Sequence, residues 1–365
     1  MTVAEKMRAT GRLLVVPPGR DASVDTLRGL ACLLVVLYHV RGGGPGDGLR
    51  LPPDNPWSYL VDSVVYVRMP LFSFLSGYVY AMRPLRDGWP QFVQGKARRL
   101  LVPMLVVGTV FALVRGSAGE ATDGGVNGVG QTPWYLWHVL PVAHFWFLEA
   151  IFWVFVLLGL ADRFGLLDRR LPMVAAVVAA VVADAVVPTP TNLLGLRDAL
   201  FLLPFVLAGV AARRFSFRSA PLPVRGGVVA LAVALGVWSQ FGLQGWVDRL
   251  PERHALLSSA LGVTACLSLL LVRRTVKPLA VIGGFSFSIY TCHVFGTSAA
   301  RMVLERLGIT SVTVNVLLGL CAGIAVGILV ELLARRSAWG RALVLGARWP
   351  RLRSPGDGDT ASSPA

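Results

Sequence analysis

Long apolar stretches recur from Leu27 to Ala334, each bounded by arginine, proline or glycine. A helix needs roughly 20 apolar residues to cross the ~30 Å hydrocarbon layer of a bilayer. Hydrophobic residues make up 55% of the 365-residue chain and charged residues 15%, and the mean hydropathy is +0.63. This composition is too apolar for a soluble domain of this size. We predict an all-α, polytopic integral membrane bundle of about ten transmembrane helices, at 25–41, 58–82, 100–115, 143–161, 171–188, 198–212, 226–243, 255–272, 279–300 and 311–334.

The net charge of +15 follows the predicted spans. With the N-terminus inside, the inner loops and tails carry 25 of the 35 lysines and arginines, and the outer loops carry 8. Arg28 and Arg68, in the interior of spans, complete the 35. This alternation is the positive-inside pattern, so both termini are predicted to be cytoplasmic. The basic charge therefore predicts orientation in a membrane and no nucleic-acid partner.

Three segments are predicted along the chain. Residues 1–22 form a charged cytoplasmic tail without the apolar region of a signal peptide. Residues 23–335 form the transmembrane domain, and 336–365 a cytoplasmic tail whose end is polar enough to be disordered. Arginine outnumbers lysine 32 to 3, which is typical of a GC-rich bacterial genome. We expect a multi-pass protein of the plasma membrane.

Two polar residues, Arg28 and His39, lie in the first apolar stretch, eleven residues apart. On a helix this spacing is three turns plus about 20°, so both residues share one face, ~16 Å apart along the axis. A buried arginine costs about 2.5–3.5 kcal/mol on insertion scales and usually faces protein or a water-filled cavity. Arg28 could instead extend to the inner interface while His39 lies near the outer headgroups. Spacing alone leaves both interpretations open.

Five sequence blocks occur in a fixed order around this pair. They are VDTLRGLACLLVVLYH, which contains Asp25, Arg28 and His39, then MPLFSFLSGY (69–78), KARRLLVP (96–103), HFWFLEAIF (144–152) and FSFSIYTCH (285–293). Together they resemble the acyltransferase 3 family, whose signature pairs an arginine and a histidine with ten residues between them. The resemblance runs from about residue 25 to 333. Three departures from the family pattern concern the acceptor more than the chemistry: Ser73 and Phe287 within the blocks, and Arg68 beside the second block.

The resemblance implies an integral membrane enzyme that moves an acyl group, often acetyl from acetyl-CoA, onto a hydroxyl. Sugars, polysaccharides and secondary metabolites are the acceptors of the family. Arg28 would anchor an anionic part of acyl-CoA, and neutral His39 would act as general base, because an imidazole has an unperturbed pKa near 6.5. A covalent route through Ser76 or Ser286 stays open.

The ninth span carries a polar stripe. Ser286, Tyr290, His293 and Thr297 follow one another at helical spacing and fall within about 40° of one another. Such residues can serve only as hydrogen bonds between helices, worth roughly 0.6 kcal/mol each. As cavity lining, His293 is the second candidate for the general base. Tyr290 could orient the acceptor or donate to a developing oxyanion, and Ser286 could contact substrate.

A glutamate in the fourth span lies between two tryptophans. Trp146 and Trp153 fit interfacial anchors, whereas an unpaired Glu149 in the bilayer would be costly. Arg68, at similar depth in the second span, is a possible partner, although Pro70 disturbs the helix there. A structural ion pair is the favoured interpretation, and binding of the acceptor by Arg68 and Glu149 is the alternative.

A basic cluster is predicted at the cytoplasmic side. Anionic lipid would attract such charges, but arginine also suits the phosphates of CoA. Arg98 and Arg99, at the mouth of the third span, are the candidates for CoA binding. The cluster comprises Arg83, Arg86, Lys96, Arg98 and Arg99.

The remaining histidines give weaker signals. His138 and His254 are expected to be ordinary surface residues, and His144 belongs to one of the family blocks. No HExxH, phosphate-binding glycine loop or Gly-x-Ser-x-Gly motif occurs, so no metal is predicted.

The predicted function is membrane-bound O-acyl transfer from acyl-CoA, most simply acetyl-CoA, to a hydroxyl-bearing acceptor. The main alternative is a transporter or flippase for an anionic or glycosylated solute, which would also use many spans and an intramembrane arginine. The absence of an internal repeat disfavours that alternative. A catalytically silent scaffold of a polysaccharide-export complex is a third hypothesis.

Overall fold

The computed structural model describes residues 21–42, 48–82, 88–117, 134–188, 192–247 and 252–349. These residues are mostly α-helical and contain no β-strand. The predictions for residues 1–20 and 350–365, and for Arg83 and Arg86, lie outside the described residues. The helices are α1 (Ala22–Arg41), α2 (Pro56–Ser63), α3 (Val65–Tyr80), α4 (Trp89–Ser117), α5 (Trp146–Arg163), α6 (Arg170–Val186), α7 (Leu196–Arg214), α8 (Leu222–Leu243), α9 (Leu256–Leu271), α10 (Lys277–Gly284), α11 (Ser286–Arg306), α12 (Val312–Ala334) and α13 (Ala338–Leu345).

Several of these helices can cross a membrane. Six are long and apolar enough, and the number rises to eight if the bent pairs α2–α3 and α10–α11 each form one span. Helices α6 and α9, with 17 and 16 residues, are shorter than the roughly 20 residues of a full span. The all-helical membrane class is therefore found as predicted. The count of ten and the cytoplasmic termini stay predictions.

Apolar side chains cover much of the outer surface. Along the 22 residues of α8 only Ser239 is buried. Outward residues such as Leu231 and Val233 are 48% and 59% exposed. A surface of this kind would aggregate in water, but it matches the hydrocarbon of a bilayer.

Both ends of α1 have clear local causes. The Asp21 carboxylate caps the N-terminus and accepts hydrogen bonds from the backbone N–H groups of Ser23 and Val24. At the other end Gly42 has φ 99°, a conformation that favours glycine, and its N–H bonds to the Tyr38 carbonyl. The helix is thus fixed over the whole stretch that carries Arg28 and His39.

Glycines allow α1 to contact α10 backbone to backbone. A Cβ on Gly29 would lie 2.0 Å from the Leu279 carbonyl oxygen, and one on Gly283 would lie 1.9 Å from the Asp25 oxygen. Helix α11 then continues at an angle of 86° to α10. Small residues commonly permit such close approach in membrane bundles. The result is that α10 and α11 both line α1, at different depths.

Glycines also allow α3 to contact α7 backbone to backbone. A Cβ on Gly77 would lie 2.0 Å from the Val206 carbonyl oxygen. A Cβ on Gly209 would lie 2.0 Å from the Phe74 carbonyl oxygen. This contact holds the first half of the bundle together. It places α3, which carries Arg68, between α1 and α7.

Candidate active site

Three histidines from distant parts of the chain meet around His39. Its ring centroid lies 4.8 Å from that of His293 on α11 and 5.7 Å from that of His144, just before α5. The rings of His144 and His293 are 5.0 Å apart. His39 is partly exposed, whereas His144 and His293 are buried at 4% and 0% exposure. The cluster thus has one partly exposed histidine and two buried ones.

The hydrogen bonds of His293 assign its tautomer. Its Nδ1 lies 2.9 Å from each of the backbone carbonyl oxygens of Ile289 and Tyr290. Carbonyls only accept, so Nδ1 carries the proton and Nε2 the lone pair. That Nε2 is buried and has no hydrogen-bond partner. His293 therefore contributes a lone pair to the centre of the cluster.

His144 is held in a similar way by a short 3-10 turn, Ala143–Phe145. Its Nε2 faces the Thr291 carbonyl oxygen at 3.3 Å and therefore carries the proton. Its Nδ1 is buried without a hydrogen-bond partner. The candidate site residues inferred from the sequence did not include His144, and the block that contains it was the available signal.

The Tyr290 hydroxyl contacts the backbone of His144. Its hydroxyl donates a hydrogen bond to the backbone carbonyl of His144, and the side chain is 5% exposed. We expected this hydroxyl to orient the acceptor or to donate to an oxyanion. Because it is already engaged with the backbone, a positioning role is favoured.

The other two residues of the ninth-span stripe, Ser286 and Thr297, have different surroundings. Ser286 is partly exposed, and its carbonyl oxygen lies 3.9 Å from the thiol of Cys32, which is between Arg28 and His39 on α1. Thr297 donates to the Val294 carbonyl of its own helix. Ser286 is therefore beside the Arg28–His39 face.

Arg28 is partly exposed, with 23% of its side chain accessible, and its Nη1 lies 3.4 Å from the Asp25 carboxylate. The acidic residue three positions earlier thus orients the guanidinium. Arg28 and His39 are both partly exposed on a helix whose neighbouring residues are mostly buried.

Arg98 and Arg99 have different surroundings. Arg98 donates through Nε to the Gly346 carbonyl at 3.2 Å and so links α4 to the turn after α13. Arg99 is exposed. Lys96 packs inward, its Nζ 3.3 Å from the ring centroid of Phe155. Among the described members of the basic cluster, Arg99 has the most accessible side chain for a ligand.

The expected Arg68–Glu149 ion pair is not formed. The Arg68 guanidinium carbon lies 3.6 Å from the ring centroid of Tyr38, and its Nη1 has no hydrogen-bond partner. Glu149 is 3% exposed, and both its oxygens are without a hydrogen-bond partner. Its carboxylate instead lies against Gly195, at the start of α7. The 44° bend between α2 and α3 redirects the helix that carries Arg68.

An ion network occupies the end of the bundle where α5 and α9 begin. Asp184 accepts from Arg197 at 2.6 Å and faces the His254 ring at 2.8 Å. Asp198 pairs with Arg253 at 3.1 Å. His254 is thus part of this network and was wrongly predicted to be an ordinary surface residue.

Arg253 lies over aromatic rings. Its guanidinium carbon is 4.6 Å from the ring centroid of Trp146 and 4.0 Å from that of Phe201. Burial lowers the pKa of Arg253, while Asp198 and Asp184 act in the opposite direction. The Trp153 indole donates to the Leu194 carbonyl at 2.9 Å. Both tryptophans therefore make specific contacts within the protein.

His138 also differs from the prediction of a surface residue. Its Nε2 lies 3.1 Å from the Thr109 hydroxyl, and the ring packs against Gly108 of α4. Burial lowers the pKa of this histidine. It does not take part in the ring contacts of the His39 cluster.

No group of three or more His, Cys, Asp and Glu side chains in the described ranges has a geometry that could hold a metal ion.

The fold and the cluster define a polytopic helical membrane protein with a polar centre built by α1, α11 and the start of α5. The acyltransferase domain model of the acyltransferase 3 family matches residues 21–335, and the chain belongs to that family. The domain that defines this family is an acyltransferase domain, so the transporter interpretation is set aside.

The chain is also similar to Nodulation protein NolL of Sinorhizobium fredii (strain NBRC 101917 / NGR234). The two are 29% identical over 194 residues, which cover 52% of this chain and 49% of NolL. The chain thus aligns with about half the length of this curated relative. No solved structure matches it.

Proposed function

We propose that this acyltransferase transfers an acyl group, most simply acetyl, from acyl-CoA to a hydroxyl of a sugar, polysaccharide or secondary metabolite at the plasma membrane. His39 is the general base. The observation that carries this proposal is the convergence of His144 and His293 on the one partly exposed imidazole of the cluster.

The reaction needs no covalent intermediate on the protein. His39 takes the proton of the acceptor hydroxyl as its oxygen attacks the thioester carbonyl. The tetrahedral intermediate then expels the CoA thiolate, which leaves as the thiol after taking a proton from the His39 imidazolium. General base catalysis of this type contributes about 10²–10⁴-fold to the rate.

His293 and His144 are positioning residues in this scheme. Each has one nitrogen committed to a backbone carbonyl and one lone-pair nitrogen in the cluster. A lone pair can accept from the protonated nitrogen of His39. That contact would orient the His39 ring and stabilise its charged form after proton transfer. Tyr290 bonds to the backbone carbonyl of His144 and would therefore act on His39 only indirectly, through His144.

In this scheme acyl-CoA, the donor, would lie along α1. Arg28 and Arg99 would hold the phosphates of CoA, with Arg98 positioning this region through its bond to Gly346. Arg28 is ~16 Å from His39 along the helix axis, a distance comparable to the extended pantetheine arm. Ser286, beside Cys32 between these two residues, would contact that arm. The thioester would then reach His39.

The acceptor would approach from the end of the bundle where α5 and α9 begin. Glu149 offers a buried carboxyl group without a hydrogen-bond partner, which can bond to acceptor hydroxyls. Trp146 is nearby on the same helix and offers a ring surface for a sugar. Arg68 lies at the level of His39, against Tyr38.

The test uses purified full-length protein in lipid nanodiscs with labelled acetyl-CoA and a hydroxyl acceptor. We expect free CoA and labelled ester in equal amounts. Both should be lost in His39→Ala and retained in His138→Gln, a histidine outside the cluster. Release of CoA without labelled ester would reduce the protein to a thioesterase, and unchanged ester formation in His39→Ala would refute the general-base assignment.

A further inference from the structure

Arg68 is a buried cation that forms no ion pair among the described residues. The residue is only 8% exposed, and its Nη1 has no hydrogen-bond partner. Its identified contact is with the Tyr38 ring, 3.6 Å from the guanidinium carbon to the ring centroid. A tyrosine face offsets only part of the cost of placing a guanidinium at this depth.

Three carboxylates at this end of the bundle are already paired, whereas Glu149 has no hydrogen-bond partner and does not reach Arg68. Asp62 binds Arg41 at 3.0 Å. The buried acids of the network bind other cations: Asp198 pairs with Arg253 and Asp184 with Arg197. Arg68 stands apart from the other arginines here, because it forms no ion pair in the described ranges and Asp62, the acid that acts on its charge, is already paired with Arg41.

The position of Arg68 relates it to the proposed reaction centre. Tyr38, whose ring it covers, precedes His39 on α1, and the two rings are 5.0 Å apart between centroids. Phe72, one helical turn after Arg68, packs against Phe147 with ring centroids 6.2 Å apart. A group bound at Arg68 is therefore at the depth of His39, on the part of α1 remote from Arg28.

Resting on the proposed function, we infer that the natural acceptor carries an anionic group, a carboxylate or a phosphate, which the Arg68 guanidinium binds. Arginine suits this task because its planar fork can donate two parallel hydrogen bonds to either oxyanion. Arg28 holds the phosphates of the donor, and Arg68 holds the charge of the acceptor. The two cations position the two substrates on either side of the base.

The test compares glycerol, glycerate and glycerol 3-phosphate as acceptors of the full-length protein in neutral-lipid nanodiscs. These probes share hydroxyls and differ in the absence of an anion, a carboxylate or a phosphate. We expect kcat/KM of acceptor-dependent CoA release to be at least tenfold higher for one of the charged probes than for glycerol. The better of the two identifies the anion. Equal rates for all three, or no acceleration by any of them, would overturn the inference.

Variants separate this inference from the proposed function. Arg68→Gln should abolish the preference for the charged probe, and Arg68→Lys should restore part of it. Thermal unfolding in nanodiscs checks that both variants fold. Arg301→Gln is the matched control, since this arginine at the same end pairs with Glu305. A preference that survives Arg68→Gln refutes the anion site, whereas CoA release that survives His39→Ala refutes the catalytic proposal instead.

Discussion

The imidazole rings of His39 and His293 lie 4.8 Å apart between centroids, although 254 positions separate the two residues in the chain. Two backbone carbonyls hold the proton of His293 on Nδ1. Its other nitrogen is therefore a lone pair within reach of the His39 cluster. Burial of this nitrogen without a hydrogen-bond partner costs free energy, because the atom loses its hydration and gains no bond in return. Such a cost suggests that the nitrogen has a function.

Removal of His293 should slow catalysis without weakening donor binding. In His293→Ala we expect kcat to fall by up to about 10²-fold, since a misplacement of about 1 Å in a reacting group can cost that much. The KM for acyl-CoA should stay the same. Steady-state kinetics of CoA release measures both constants. Thr297→Val is the control, because the Thr297 hydroxyl bonds only to its own helix among the described residues. A parallel rise of KM in His293→Ala would contradict a role confined to the base.

Arg28 should act on the donor. Loss of a charged hydrogen bond of about 1.5–3 kcal/mol corresponds to a rise in the KM for acyl-CoA of roughly 10–100-fold in Arg28→Gln. Arg28→Lys should recover part of the affinity. Dephospho-CoA thioesters, which lack the 3′-phosphate, report which phosphate is bound. If Arg28→Gln lowers kcat at unchanged KM, the anchor role is wrong.

The glycine contact between α1 and α10 should be intolerant of even one methyl group. Gly283→Ala places a carbon 1.9 Å from the Asp25 carbonyl oxygen, so the helices must separate. We expect a loss of about 1–3 kcal/mol or more, measured as a lower Tm in nanodiscs. The KM for acyl-CoA should rise as well, because Arg28 lies on the displaced part of α1. In Gly284→Ala the new Cβ meets nothing within 4 Å, so this variant should match the wild type.

The cap of α1 should give the protein a defined acid sensitivity. Burial acts to raise the pKa of Asp21, but hydrogen bonds from Ser23 and the charge of Arg218 outweigh it, and the pKa is lowered from 3.8. A depressed folded-state pKa stabilises the protein above the unfolded value, and the effect is lost as the pH falls through the folded value.

Asp21→Asn keeps a good capping side chain but loses the 3.1 Å ion pair with Arg218. The Tm difference between wild type and variant should be constant above about pH 5 and should shrink at lower pH. Arg218→Gln should remove the same ion pair. A Tm difference that grows with acidification would contradict this account.

The features that could be predicted from sequence are the local ones. The membrane class follows from apolar stretches, and the shared helix face of Arg28 and His39 depends only on the period of one helix. Contacts made through bends could not be predicted. Helix α11 leaves α10 at 86°, and His144 reaches the cluster through a 3-10 turn. The predicted ion pair between Arg68 and Glu149 was wrong for the same reason, since the bend before α3 directs Arg68 to Tyr38.

The ion pairs around Asp184 also could not be predicted from the sequence. Asp184, Arg197 and His254 lie on three separate segments, and each side chain alone is unremarkable in sequence. Their association depends on how α6, α7 and α9 pack, for which no local pattern exists. Buried acids within apolar stretches were the available signal, because a charge at that depth requires a partner.

The central claim, that His39 is the general base, is tested most directly by the single-turnover rate of acyl transfer at saturating acyl-CoA in wild type and His39→Gln. Glutamine retains a polar side chain of similar reach but cannot take the proton. We predict a rate lower by about 10²–10⁴-fold with unchanged affinity for acyl-CoA. A rate within threefold of wild type, or a loss explained entirely by weaker acyl-CoA binding, would contradict it.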